Sequence, residues 1–247
     1  MKKQEEKFSC LTAYDASFAQ LMEKAGIDCL LVGDSLGMVI KGQETTLSVN
    51  IDDMVYHTKN VRRSTSSVFI MVDLPFGACG STEETYHNAS RLMSACAQMV
   101  KIEGGEVMQE NIEFLSKRGI PVCSHLGLLP QSVHKTSGYS MQGKDSHSAD
   151  KILSDALLMC EAGADMILLE CVPKQLAAEI TTNVPVPVIG IGAGNGCDAQ
   201  VLVSYDMLGI TPGGGPSFSR NFLIDNESIE GAFKAYSQAV KSGKFPA

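Results

Sequence analysis

Residues 29–37 read CLLVGDSLG, and the fold turns on what that stretch is. Four apolar residues in unbroken succession suit a strand covered on both faces, as in parallel sheets, rather than a half-exposed hairpin strand. The acid and hydroxyl that follow mark its end. An aspartate beside such a strand is costly to desolvate unless it is paired, hydrogen-bonded or bound to a cation, so Asp34 demands a partner from elsewhere in the chain.

Seven further runs repeat the pattern: FSCLTAYD (8–15), VFIMVDLP (68–75), MVKIEGG (99–105), PVCSHLG (121–127), DMILLE (165–170), PVIGIGAG (187–194) and VLVSYDMLGI (201–210). Amphipathic segments near 16–25, 51–64, 82–97, 106–118, 149–162 and 173–181 separate them, and a last helix is predicted over 226–242. Eight strand-and-helix units point to an α/β fold, a closed (β/α)8 TIM barrel forming a single domain over 1–247, in preference to an open doubly wound sheet. No Pro-, Gly- or Ser-rich linker divides the chain. Residues 128–147, LLPQSVHKTSGYSMQGKDSH, form an unusually long polar connection after the fifth strand, which suits a functional lid.

With 20 Lys and Arg against 28 Asp and Glu, the formal charge of -8 argues against nucleic acid or an anionic membrane as partner and favours a small-molecule substrate. The eight cysteines, at 10, 29, 79, 96, 123, 160, 171 and 197, contain no CxxC and no tight cluster. They read as reduced thiols of a cytoplasmic protein rather than a disulfide framework or zinc site. MKKQEEKF lacks the apolar core of a signal peptide, and no apolar run approaches the roughly 20 residues of a membrane helix.

The strands end on Asp34, Asp73, Glu103, His125 and Glu170. In a barrel all C-terminal strand ends converge on the active-site face, so residues far apart in sequence meet there. Converging carboxylates without a matching set of histidines or thiolates suit a hard cation such as Mg2+, with Asp34, Asp73 and Glu103 as ligands and open positions for a 2-oxo acid. Lys101 lies two residues from Glu103, on the same side of its strand, where it can neutralise a substrate carboxylate or an enolate oxygen. A Schiff base is its rival use, disfavoured by the neighbouring acid. Glu170, behind four apolar residues, is placed as a general base for proton abstraction beside a carbonyl. His125 fits a structural role as well as a substrate contact, Ser35 could simply cap the next turn, and GIGAGNG (190–196) reads as tight-turn glycines rather than a nucleotide loop.

Several ordered strings, LTAYD (11–15), VGDSLGM (32–38), YHT (56–58), DLPF (73–76), MVKIEGGE (99–106), HLGLLPQSV (125–133), LLECVP (168–173), PVIGIGAGN (187–195) and RNF (220–222), closely resemble the ketopantoate hydroxymethyltransferase family over nearly the whole chain. The resemblance implies a (β/α)8 barrel that uses Mg2+ and 5,10-methylenetetrahydrofolate to hydroxymethylate 3-methyl-2-oxobutanoate through an enolate, giving 2-dehydropantoate in pantothenate biosynthesis. It implies that Asp34 and Asp73 bind the metal and, with Ser35 and Lys101, hold the 2-oxo acid. It also implies that Glu103 is a further metal-site residue, that Glu170 is the proton acceptor, that His125 lies beside the substrate, and that the chain forms homo-oligomers, often decamers. The chain departs from the family pattern at Ser137-Gly138-Tyr139 and Pro216-Ser217-Phe218. An enzyme of the isocitrate lyase and phosphoenolpyruvate mutase kind is the chemical rival, but its KKCGH-like motif is missing from the sequence. A silent metabolite-binding barrel is the other, and the cost of burying four acids without a ligand speaks against it.

Overall fold

The apolar runs form eight parallel strands: β1 (Phe8–Thr12), β2 (Cys29–Val32), β3 (Phe69–Asp73), β4 (Met99–Glu103), β5 (Val122–Gly127), β6 (Met166–Glu170), β7 (Val188–Ile191) and β8 (Ala199–Leu202). In this computed structural model, which describes residues 6–135 and 138–246, they pair in chain order and β8 pairs with β1 to close the barrel. The start of MKKQEEKF and the departure at Ser137 lie outside the described residues.

Alternation along each strand explains why both faces are apolar. One set of residues, including Cys29, Leu31, Met71, Met99, Cys123 and Leu168, packs inside the barrel, while Leu30, Ile70, Val100, Val122 and Ile167 face the helices. The inward set runs upward into polar groups: Met71 is followed two residues on by Asp73, Met99 by Lys101 and Glu103, Cys123 by His125 and Leu168 by Glu170. A packed, sulfur-rich floor therefore supports a charged ceiling.

The helices are α1 (Ala16–Lys24), α2 (Leu36–Val39), α3 (Ile51–Arg63), α4 (Thr82–Ser94), α5 (Gln109–Ser116), α6 (Ser146–Glu161), α7 (Lys174–Asn183), α8 (Ser204–Leu208) and α9 (Ile229–Lys241). Side chains before them fix their starts: Asp15 accepts from Ser17 and Phe18, Asn50 forms a capping box with Asp53, and Asp145 accepts from Ser148. The Asp145 cap makes α6 begin three residues earlier than expected and shortens the long loop. α9 packs across β1 and β8, with the Tyr236 hydroxyl 3.0 Å from the carbonyl oxygens of both Cys10 and Gln200.

The eighth strand differs from its reading as 201–210. It starts at Ala199, is four residues long, and gives way to α8, which Gly209 ends in the left-handed conformation. Gln200 hid its start, because a buried glutamine interrupts the apolar run; its amide is satisfied by the carbonyl of Gly194 at 2.9 Å. The segment read as one helix over 106–118 is a 3-10 turn, Glu106–Met108, followed by α5.

Candidate active site

Asp34, Ser35, Asp73, Lys101, Glu103, His125 and Glu170 all line one cavity of about 840 Å3 at the C-terminal mouth of the barrel. Asp34, Asp73, Lys101 and His125 are each no more than 4% exposed. A cavity at the opposite mouth, about 560 Å3, is lined by Lys7, Asp28 and Lys241 and has no comparable set of converging acids.

The charges are interlocked. Lys101 Nζ lies 3.0 Å from Asp73 Oδ1 and 3.2 Å from His125 Nδ1. Burial alone would lower the lysine's pKa, but Asp73, Glu103 and Asp34 outweigh it and raise it, which favours the ammonium form over a Schiff-base amine. Burial, reinforced by Asp73 and Glu103, pushes the Asp34 carboxyl well above the usual carboxylate range. For Glu103 burial is outweighed by His125, Lys101 and the Gln131 N–H, which hold it below that range. His125 Nε2 faces Glu170 Oε2 at 3.2 Å, near enough for electrostatic attraction but not aligned as a hydrogen bond. Burial and Lys101 lower the imidazole's pKa, but the two glutamates outweigh them and raise it.

The capping role open to Ser35 is not what the end of β2 shows. Ser35 precedes α2 but makes no capping hydrogen bond; its hydroxyl lies 2.9 Å from the Tyr14 hydroxyl. Asp34 caps nothing either, and its backbone N–H donates to Asp73 Oδ2 at 3.0 Å. Two residues that strand-end reasoning missed enter here. Tyr14 is a buried phenol inside LTAYD, and Gln131, in the turn after β5, donates to Asp34 Oδ2 at 2.8 Å and through its backbone to Glu103 Oε2 at 3.0 Å. Tyr139, Pro216, Ser217 and Phe218 form part of the outer wall, so each family departure reaches the cavity, the first through Tyr139. GIGAGNG finishes β7 with Gly190 and Ile191 and then makes the turn after it, with Gly192 in the left-handed region at φ +60°.

The donor set fits a hard divalent cation. Glu103 Oε1 is buried without a hydrogen bond and Asp73 Oδ1 is met only by its ion pair with Lys101, so three buried acids share one lysine, an excess of negative charge that a bound cation would offset. Among the described residues no three acidic, histidine or thiol side chains stand as a ready metal cage. Mg2+ is commonly held by one or two carboxylates, with water or substrate oxygens completing its shell, so the arrangement fits it better than Zn2+.

Fold and site together define an α/β-barrel enzyme whose acid- and lysine-lined pocket lies at the strand C-termini. Streptomyces platensis subsp. rosaceus phosphoenolpyruvate phosphomutase shares this fold at 15% identity, TM-score 0.63, covering 81% of this chain and 77% of that one. A phosphonopyruvate hydrolase solved with oxalate and Mg2+ does so at 13% identity, TM-score 0.63 and the same coverages. Sequence resolves the matter within that fold. The chain belongs to the ketopantoate hydroxymethyltransferase family, whose sequence model matches residues 1–247. It is 58% identical over 247 residues to the 3-methyl-2-oxobutanoate hydroxymethyltransferase of Nitrosococcus oceani, covering 100% of this chain and 94% of that one. To the Nitrosomonas europaea enzyme of the same name it is 55% identical over 246 residues, covering 99% and 91%.

Proposed function

We propose that the chain transfers a hydroxymethyl group from 5,10-methylenetetrahydrofolate to 3-methyl-2-oxobutanoate, forming 2-dehydropantoate for pantothenate biosynthesis. Asp34 and Asp73 would hold Mg2+, with Glu103 as a further metal-site residue; the ion, when bound, supplies Lewis acidity towards the 2-oxo acid. The observation that carries the reading is the convergence of those acids, Lys101, His125 and Glu170 on one cavity.

Lys101, already cationic, faces the negative charge that develops on the 2-oxo acid, and Ser35 offers a hydroxyl held by Tyr14. In the neutral imidazole Lys101 donates to Nδ1, which puts the ring proton on Nε2, turned towards Glu170. Electrostatic attraction to that ring edge would hold the Glu170 carboxylate, which takes the proton from C3. The carbon so freed attacks the methylene carbon of the folate donor, forming the C–C bond. The carbon–nitrogen bonds to folate break with their electron pairs going to nitrogen, water supplies the hydroxyl group, the C3 proton and the other proton of that water go to the two nitrogens, and tetrahydrofolate leaves.

The test is proton NMR of 3-methyl-2-oxobutanoate in D2O with Mg2+, first without and then with methylenetetrahydrofolate. Metal-dependent exchange at C3 should fall ~10²–10⁴-fold in Glu170→Gln, and product should form only with the folate. Wild-type exchange by that variant would remove Glu170 as base. We further place the chain in the cytoplasm as a homo-oligomer, probed by light scattering. The resemblance suggests a decamer, and exposed Phe76, Val107 and Ile224 give apolar surface for association. No described helix is long and apolar enough to cross a membrane.

A further inference from the structure

Asp34 and Glu103 repel one another, yet a shared cation needs them close, and one residue touches both. Gln131 stands in the 3-10 turn Pro130–Ser132, directly after β5. Its side-chain nitrogen lies 2.8 Å from Asp34 Oδ2 and 3.0 Å from the Leu74 carbonyl oxygen, while its backbone N–H donates to Glu103 Oε2 at 3.0 Å. A primary amide carries two N–H donors, and both are engaged by acceptors, a carboxylate and a carbonyl, so the nitrogen and oxygen of the amide cannot be exchanged. Pro130 has no N–H, which makes that of Gln131 the turn's first donor, and it is aimed at Glu103.

We propose that Gln131 is a positioning residue of the cation site, gripping one oxygen of Asp34 and one of Glu103 so that both carboxylates turn their other oxygens to a shared ion. Glu103 Oε1 makes no close hydrogen bond, its nearest partner being His125 Nδ1 at 3.6 Å, and both acids line the cavity while Gln131 stands behind them. A neutral amide suits the task. A lysine there would compete with the ion, and a glutamate would add repulsion. Through Leu74 and Asp34 the same side chain ties the root of the long loop after β5 to the ends of β2 and β3. The loop runs on to Tyr139 on the cavity wall.

The inference rests on the Mg2+ reading above, and its test separates the two. Mn2+ binding to the full chain is followed by electron paramagnetic resonance for the wild type, Asp34→Asn, Gln131→Leu and Gln131→Asn, beside metal-free thermal melts. Gln131→Leu should weaken Mn2+ binding ~10–100-fold, the usual effect of losing a residue that orients metal ligands. Gln131→Asn, too short for Asp34 but keeping the backbone donor to Glu103, should shift the affinity the same way by a smaller factor. If Gln131→Leu does not fold, the Mn2+ affinity of Gln131→Asn decides the question. A merely structural glutamine would lower the metal-free melting temperature and leave the Mn2+ affinity of the folded variant within about twofold of wild type; that result overturns the proposal. Should the wild type bind no Mn2+, or Asp34→Asn bind it equally well, the Mg2+ reading fails and this one with it.

Discussion

Replacing Lys101 with Met should destabilise the metal-free protein by ~3–5 kcal/mol at pH 7, the usual cost of breaking a buried ion pair by removing one partner. The pair is short, 3.0 Å from Nζ to Asp73 Oδ1, and both side chains are buried. At an effective dielectric constant of 20, Coulomb attraction at that distance is about 5–6 kcal/mol, part of which offsets the lysine's own desolvation. Met restores the apolar stem and removes only the charge, leaving Asp34, Asp73 and Glu103 together without it. The pH dependence should then tilt further towards greater stability at low pH. An acid whose pKa is raised by folding contributes stability below its unfolded pKa and loses it as pH climbs through the folded value. Asp34 is already such a group in the wild type, and the loss of Lys101 would raise it further. Urea denaturation in EDTA from pH 8 to 5 should therefore show the variant gaining on the wild type as pH falls, with part of the deficit at pH 7 restored by Mg2+. A variant within about 1 kcal/mol of wild type at pH 7, or one that does not gain on acidification, would refute the reasoning.

Three further outcomes follow from the geometry. Glu23 accepts backbone N–H bonds from Ser66, Ser67 and Val68; burial opposes ionisation, but those donors hold its carboxyl down to about 2. The shift caps its contribution at about 3 kcal/mol, and solvent screening at this partly exposed site reduces that to ~1 kcal/mol. Because the folded pKa is lowered, that stability is present above pH 4.5 and is lost as pH falls towards 2, a loss that thermal melts of Glu23→Gln should lack. In Gly127→Ala the new methyl would meet the Glu170 carbonyl oxygen, at a backbone φ of +91°; ~2–4 kcal/mol of destabilisation and a fall in kcat are expected from denaturation and steady-state assays. Ser35→Ala leaves only the Tyr14 hydroxyl without its partner, so KM for the 2-oxo acid should rise ~5–10-fold with stability changed by about 1 kcal/mol.

The parts of the site legible in the sequence were those that obey strand parity. Asp73, Lys101, Glu103, His125 and Glu170 continue inward-facing positions that begin with apolar residues lower in the barrel, so apolar runs with polar ends located both strands and site. Asp34 was legible for a different reason, as a charge stranded after an apolar run. Gln131 and Tyr14 carried no such mark, since a glutamine in a turn and a tyrosine near a strand are ordinary until the acceptors opposite them are in place. β8 was misplaced because the buried Gln200 is compensated by Gly194, a neighbour recognisable only once the chain has turned back on itself.

The seam between β1 and β8, bridged by Tyr236, also dictates a timetable. Tyr236 lies 226 positions along the chain from Cys10, whose carbonyl it meets. On a ribosome adding ~5–20 residues per second, β1 would wait ~10–45 s for that partner. Throughout that interval the nascent sheet has two open edges, the kind of template to which another chain can add. The crowded polysome, where identical half-made barrels lie side by side, is thus the place where this fold is most exposed to pairing with the wrong copy.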